Sequence, residues 1–295
     1  MDTLVLLTMT GLGLGALYFL IASGLSLIFG LMDVLNFAHG ALLSMGAYAC
    51  WWAASGNLPG AGPHGAGFVL AVAFGVATGT LAAAALEVGV VRPLYERPRE
   101  QVLATVGVGL AVPALLSGIW GTDARTFPAP DALSGTVTLL GARVPANRIL
   151  LIGCALAVLL GLRLLLGRTR AGLVVRAGVQ DRAMVSALGI DVRRAFTLVF
   201  ALGGALAALG GALGGLYFGE VDPGRGTSLL IYAFVVVVVG GMSSVTGAAA
   251  ACVAVGLLQQ FANYFTTAGL GDLAVVVLLA VVLLVRPRGL MGRLT

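Results

Sequence analysis

Asp33, Asn36 and His39 fall within seven positions of one another in "MDVLNFAHGALLSMGAY" (32–48), a stretch otherwise almost wholly apolar. Their i, i+3, i+6 spacing drifts along one face of a helix. A carboxylate, a carboxamide and an imidazole there can hydrogen-bond a passing solute or hold neighbouring backbone groups. A second candidate is "VGGMSSVTG" (239–247), where Ser243 and Ser244 follow Gly240 and Gly241. Paired glycines and serines suit a turn whose amides and hydroxyls are free to bind. Tyr232 adds a phenol to the apolar run before it. Covalent chemistry finds less support. There is no Lys, hence no GxxxxGK[ST] phosphate loop. No His, Cys and carboxylate cluster has metal-ligand spacing, and no nucleophile has a base and an orienting partner. The residues suit a conduit better than an enzyme, with no cofactor bound directly.

The elements that must carry these residues are membrane helices. The chain has 295 residues, 59% of them hydrophobic and only 10% charged. Soluble domains carry about 25% charged residues, so this surface is built for lipid. Apolar runs of about 20 residues span a bilayer as helices. They occur at 4–29, 36–54, 67–91, 101–120, 148–167, 196–217, 228–242, 244–264 and 270–287. The expectation is an all-α polytopic membrane protein with eight or nine transmembrane or re-entrant segments. Period-two alternation is lacking, which argues against a β-barrel. Gly30 and Gly40 bracket the first polar cluster and permit a break there. Broken helices expose backbone groups that must be buried in protein or line a cavity. Asn36, His39, Tyr232, Ser243 and Ser244 are therefore expected to line or gate a path. The alternative is that the first two only lock the break in place. Asp33 fits the membrane interface.

All 17 basic residues are Arg. With the N-terminus outside and the C-terminus in the cytoplasm, the regions 92–100, 163–194 and 286 onward face the cytoplasm and hold 13 of the 17. This follows the positive-inside rule. Topology thus explains the net charge of +5 without a nucleic-acid partner. The N-terminal "MDTLVLLTM" lacks a basic leader region, so no cleaved signal is expected. Cys50, Cys154 and Cys252 are scattered through apolar runs and read as small buried hydrophobes. "GGALAALGGALGG" (203–215) suits close helix packing in lipid. The 121–147 segment reads as turns with a short hairpin. The whole of 1–295 reads as a single membrane domain.

The longest charged connection is "RTRAGLVVRAGVQDRAMVSALGIDVRRAF" (168–196). Its centre has helical spacing, with Gly189 as a stop. The small face of such a helix can seat in a groove of another protein, or the helix can lie on the lipid surface. "RAGVQDRAMVSALGIDVRRAF" resembles the coupling loop of ABC-transporter permeases, above all the branched-chain amino acid permease family. "GLSLIFGLMDVLNFAHGALLSMGAY", "RPLYERPREQVLATVGVGL", "AFVVVVVGGMSSVTGA" and "VLLVRPRGLMGR" resemble further signatures of that family, in order along nearly the whole chain.

The resemblance implies a permease domain with a coupling loop at about 168–194, of the kind first in the family's pair of permeases. It implies a second homologous permease, two cytoplasmic ATPases that use ATP and Mg, and an extracytoplasmic substrate-binding protein, in a bacterial or archaeal cell membrane. By the same likeness Arg176, Asp181, Ala183, Ala187 and Gly189 meet the ATPase. Some relatives carry a basic residue where this chain has Tyr232, which leaves the fate of a cargo carboxylate open. The cargo expected is Leu, Ile and Val. Rival readings are an importer for urea or short-chain amides, an ion-coupled carrier, and a structural subunit.

Overall fold

A computed structural model describes residues 2–139, 141–169, 172–173, 191–242, 244–267, 269–286 and 289–291. The coupling residues Arg176, Asp181, Ala183, Ala187 and Gly189, and also Ser243, lie outside the described residues.

The described chain is a bundle of helices. They are α1 (Asp2–Met32), α2 (His39–Trp52), α3 (Gly65–Leu86), α4 (Pro98–Trp120), a single turn α5 (Asp131–Ser134) and α6 (Ala146–Arg168). After the 169–191 connection come α7 (Val192–Phe218), α8 (Arg225–Gly240), α9 (Val245–Phe265) and α10 (Leu270–Val285). Six of these are long and apolar enough to cross a membrane, while α8 and α10 are shorter apolar helices. The expected segments match these helices, with one physical difference. Gly30 is helical, α1 runs on to Met32, and Gly40 lies inside α2. The break falls at 33–38 and begins at Asp33, whose φ of 55° is the only positive φ among the described non-glycine residues. Asp and Asn adopt that conformation more readily than other side chains, so the helix stops there.

Helices α1 and α7 form the centre, and small residues bring their neighbours close. A Cβ on Gly15 would stand 2.5 Å from the Cys252 carbonyl oxygen, and one on Gly24 would stand 2.5 Å from that of Gly203. A Cβ on Gly211 would collide with the Leu43 carbonyl oxygen. The glycine-rich stretch of α7 thus touches α1 and α2 through backbone, as small-residue packing in lipid requires. By contrast α4 and α6 bury only a few side chains each. Leu103, Leu110, Leu115, Leu156 and Leu160 face outward.

Small strands close one end of the bundle. β2 (Thr136–Leu139) and β3 (Ala142–Pro145) form the expected hairpin, with Val137 opposite Val144. β1 (Arg125–Thr126) pairs antiparallel with β4 (Glu220–Val221), tying the 121–147 segment to the α7–α8 connection. Cys50 and Cys252 are buried and Cys154 is half-buried, all free.

Candidate functional site

The 33–38 segment is the first irregular stretch inside the bundle. Asn36 and His39 are both fully buried. Asn36 Oδ1 accepts the Ala38 amide at 3.1 Å, and its backbone carbonyl accepts the His39 amide at 3.3 Å. The segment thus turns into α2 on a local Asx-type contact. His39 Nε2 lies 3.0 Å from the Ile21 carbonyl oxygen, so it carries the proton and donates. Gly24 leaves room for the imidazole, since a Cβ there would be 3.1 Å from Cε1. Asn36 Nδ2 and His39 Nδ1 have no partner among the described residues. In this conformation both side chains brace the break from inside the protein. Asp33 is exposed beside them. Gly40 then lets α2 cross α8 in backbone contact, because a Cβ on it would stand 2.7 Å from the Gly226 carbonyl oxygen.

The α8–α9 turn is the second irregular stretch. Gly241 ends α8 with a φ of 102°. Ser244 caps α9, its Oγ accepting the Gly247 amide at 3.0 Å. That is the ordinary N-cap use of a serine. The amides of Leu290 and Met291 reach back to the carbonyls of Val239 and Gly240 at 2.8 and 3.2 Å. The tail therefore satisfies carbonyls that the end of a helix leaves open. Ser26 Oγ lies 3.5 Å from the Met242 carbonyl oxygen, linking the turn to α1.

Tyr232 sits in a polar cluster between α1, α8, α9 and α10. Its ring stacks on that of Tyr18, with centroids 5.1 Å apart and planes 12° apart. The Tyr18 hydroxyl donates to Gln259 Oε1 at 2.7 Å, and Gln259 Nε2 donates to Asp272 Oδ1 at 2.6 Å. Tyr232 is half-buried, Asp272 exposed and Gln259 nearly fully buried.

A buried carboxylate lies at the far end of α3, where a π-helical turn (Glu87–Val91) leads into a 3-10 turn (Arg92–Leu94). Glu87 is fully buried. It accepts from Arg92 Nε at 3.2 Å and Nη2 at 2.9 Å, and from the Tyr95 hydroxyl at 2.6 Å. Thr197, in the second turn of α7, donates to it at 2.8 Å and lies 2.6 Å from Arg92 Nη2. The network joins the α3–α4 connection to the helix that follows the 169–191 segment. At the opposite end Glu220 and Asp222 both pair with Arg225, and the Ser44 hydroxyl donates to the Pro223 carbonyl at 3.3 Å.

Sequence reasoning singled out Asn36, His39, Tyr232 and Ser244, and the structure puts them in three separate places. It missed Gln259, Asp272, Glu87 and Thr197. Their signal was present: single polar residues in or beside long apolar runs, where a polar group needs a partner. Which partner each would find depended on helix packing. Among the described residues no three of His, Cys, Asp and Glu converge as metal ligands.

A family model described as "Branched-chain amino acid transport system / permease component" matches residues 7–286. The chain is 28% identical to the high-affinity branched-chain amino acid transport system permease protein BraD of Pseudomonas aeruginosa, covering 96% of this chain and 94% of that one. It is also 28% identical to the high-affinity branched-chain amino acid transport system permease protein LivH of Escherichia coli, with the same coverage. A probable branched-chain amino acid transport permease protein LivH of Methanocaldococcus jannaschii matches at 28% identity, over 92% of this chain and 88% of its own. Among solved structures, a chain of PsaBC from Streptococcus pneumoniae in complex with Fab is similar with a TM-score of 0.52. It covers 95% of this chain and 91% of that one at 12% identity, a likeness of fold.

Proposed function

Because the chain belongs to the family of branched-chain amino acid transport system permease components, we propose that it is a membrane-spanning subunit of an ATP-driven importer of leucine, isoleucine and valine. The observation that carries this reading is the match over residues 7–286, nearly the full chain, with relatives named for that transport.

In the proposed assembly the chain is one membrane domain paired with a second permease. Two ATPases supply ATP and Mg chemistry on the cytoplasmic side, and a binding protein delivers cargo outside. The N-terminus faces out and the C-terminus in, which puts 13 of the 17 arginines in the cytoplasm. The helix expected within 168–194 takes the ATPase stroke through the small faces of Ala183 and Ala187. Arg176 and Asp181 make charge-assisted contacts beside it, and Gly189 ends it.

The path runs along α8. Asn36 and His39 act as braces that keep the 33–38 break open for gating. Ser244 caps the helix that follows the turn at its inner end, Ser243 and Ser244 contribute their hydroxyls to the path, and Tyr232 faces the cargo. The polar lining is sparse, which suits a conduit whose selectivity resides in the binding protein.

The test is uptake by the complete complex in proteoliposomes, with its binding protein and ATP. Import of labelled leucine without import of urea is expected. Import of urea or a short-chain amide alone overturns the reading.

A further inference from the structure

Asp272 has a surplus of acceptor capacity. An acid in the first turn of a helix ordinarily serves the helix's open amides. In α10 that task falls to another residue, because Asn263 Oδ1 accepts both the Gly269 and the Gly271 amides, at 3.3 and 2.9 Å. Asp272 turns instead to Gln259, which is itself anchored by Tyr18. The relay Tyr18–Gln259–Asp272 fixes the carboxylate, and the Tyr232 hydroxyl adjoins it. An ionised carboxylate offers two oxygens and about four lone-pair sites. Asp272 forms no salt bridge among the described residues.

Its surroundings mark an aqueous or protein-covered face. Thr227 and Ser228 are exposed on α8, one turn before Tyr232, and Asp272 is exposed on α10 next to it. Exposed hydroxyls and a carboxylate beside apolar helices are costly against lipid. A second carboxylate, the fully buried Glu87, is by contrast closed off by Arg92. Asp272 remains a carboxylate anchored by Gln259 and exposed on one side, with the Tyr232 hydroxyl beside it. That combination suits a cation with N–H donors, by charge-assisted hydrogen bonding.

We propose that Asp272, held by Gln259 and flanked by Tyr232, binds the primary ammonium group of the cargo during passage. This deepens the amino acid reading above and rests on it. The chain grips the amino end of the molecule at this point, where Tyr232 provides no positive partner for a carboxylate.

The test uses the complete complex in proteoliposomes. Asp272→Asn is expected to lower kcat/KM for leucine uptake about tenfold or more. Asp272→Glu, which retains the charge, is expected to recover most of the uptake. Wild-type uptake by Asp272→Asn overturns the proposal, and so does equal loss in both variants. A second measurement reads the site without transport. In a protein lacking Cys50, Cys154 and Cys252, Ser228→Cys is labelled with a cationic ethylammonium thiosulfonate and with an anionic sulfonate analogue. Faster reaction with the cation, slowed by leucine, supports the site and needs no Asp272→Asn protein. Equal rates for the two reagents overturn it. A wild-type complex that imports no leucine counts against the transport reading, whereas the charge preference at Ser228→Cys still decides the ammonium site.

Discussion

Thr197 Oγ1 stands 2.8 Å from Glu87 Oε2, bonding the second turn of α7 to the end of α3 across 110 positions of sequence. Arg92 closes the same group from the other side with two contacts. Glu87 is fully buried, while the Arg92 side chain is 30% exposed. Removing one partner from a buried pair leaves the other without compensation. Glu87→Ala is therefore expected to destabilise the protein by about 3 kcal/mol, the lower end of that range, because water reaches Arg92. Thr197→Val is expected to cost about 1 kcal/mol, the net worth of one hydrogen bond. Thermal unfolding in detergent orders the two. A larger effect from Thr197→Val would show that the hydroxyl, and not the ion pair, holds this corner.

The α2–α8 crossing depends on Gly40. An added Cβ meets the Gly226 backbone at 2.7 Å, which cannot rotate away. Gly40→Ala is expected to cost about 1–3 kcal/mol as overpacking and to lower the yield of folded protein. Gly107→Ala, on α4 with nothing within 4 Å of the new carbon, is the matched control and should be neutral or slightly stabilising. Similar melting temperatures for the two variants would refute close α2–α8 packing.

The tail that returns to α8 contributes through backbone. Leu290→Pro removes the amide that serves the Val239 carbonyl at 2.8 Å. Leu290→Ala keeps it. The proline variant is expected to lose about 1–3 kcal/mol more than the alanine variant, the cost of a buried polar group left unpaired. Hydrogen exchange at the Gly241 amide, just beyond that carbonyl, should accelerate only with proline.

The proposed ATPase contact is tested at Ala187. Replacing the small side chain by Arg should cut leucine uptake about tenfold or more by blocking the fit, while the protein reaches the membrane in normal amounts. The Ala187→Cys variant, made in a protein lacking Cys50, Cys154 and Cys252, should crosslink through its new thiol to an ATPase identified by mass spectrometry. Normal uptake by Ala187→Arg would remove the coupling assignment.

Much of the architecture was legible because lipid imposes it. A chain with 10% charge and nine apolar runs has few ways to satisfy its backbone other than helices. The hairpin within 121–147 could be read from turn residues, and the α8–α9 turn from Gly240 and Gly241. The position of the first break was harder. Gly30 and Asp33 both favour it, and the helix ended at Asp33. Asn36 and His39 were legible as unusual, and the local bond from Ala38 to Asn36 needs only the turn itself, but the bond of His39 to Ile21 required knowing how α1 and α2 meet.

The sequence by itself determined the membrane class, the order of the helices and the family, since these follow from composition, apolar run length and ordered motifs. Tertiary structure decided which polar residues share a site. Tyr18, Tyr232, Gln259 and Asp272 come from four helices, and only the packing of α1, α8, α9 and α10 gives each a partner. Glu87 finds Thr197 for the same reason. A polar side chain among apolar neighbours announces that it needs a partner, but the identity of that partner is set by distances between helices far apart in sequence.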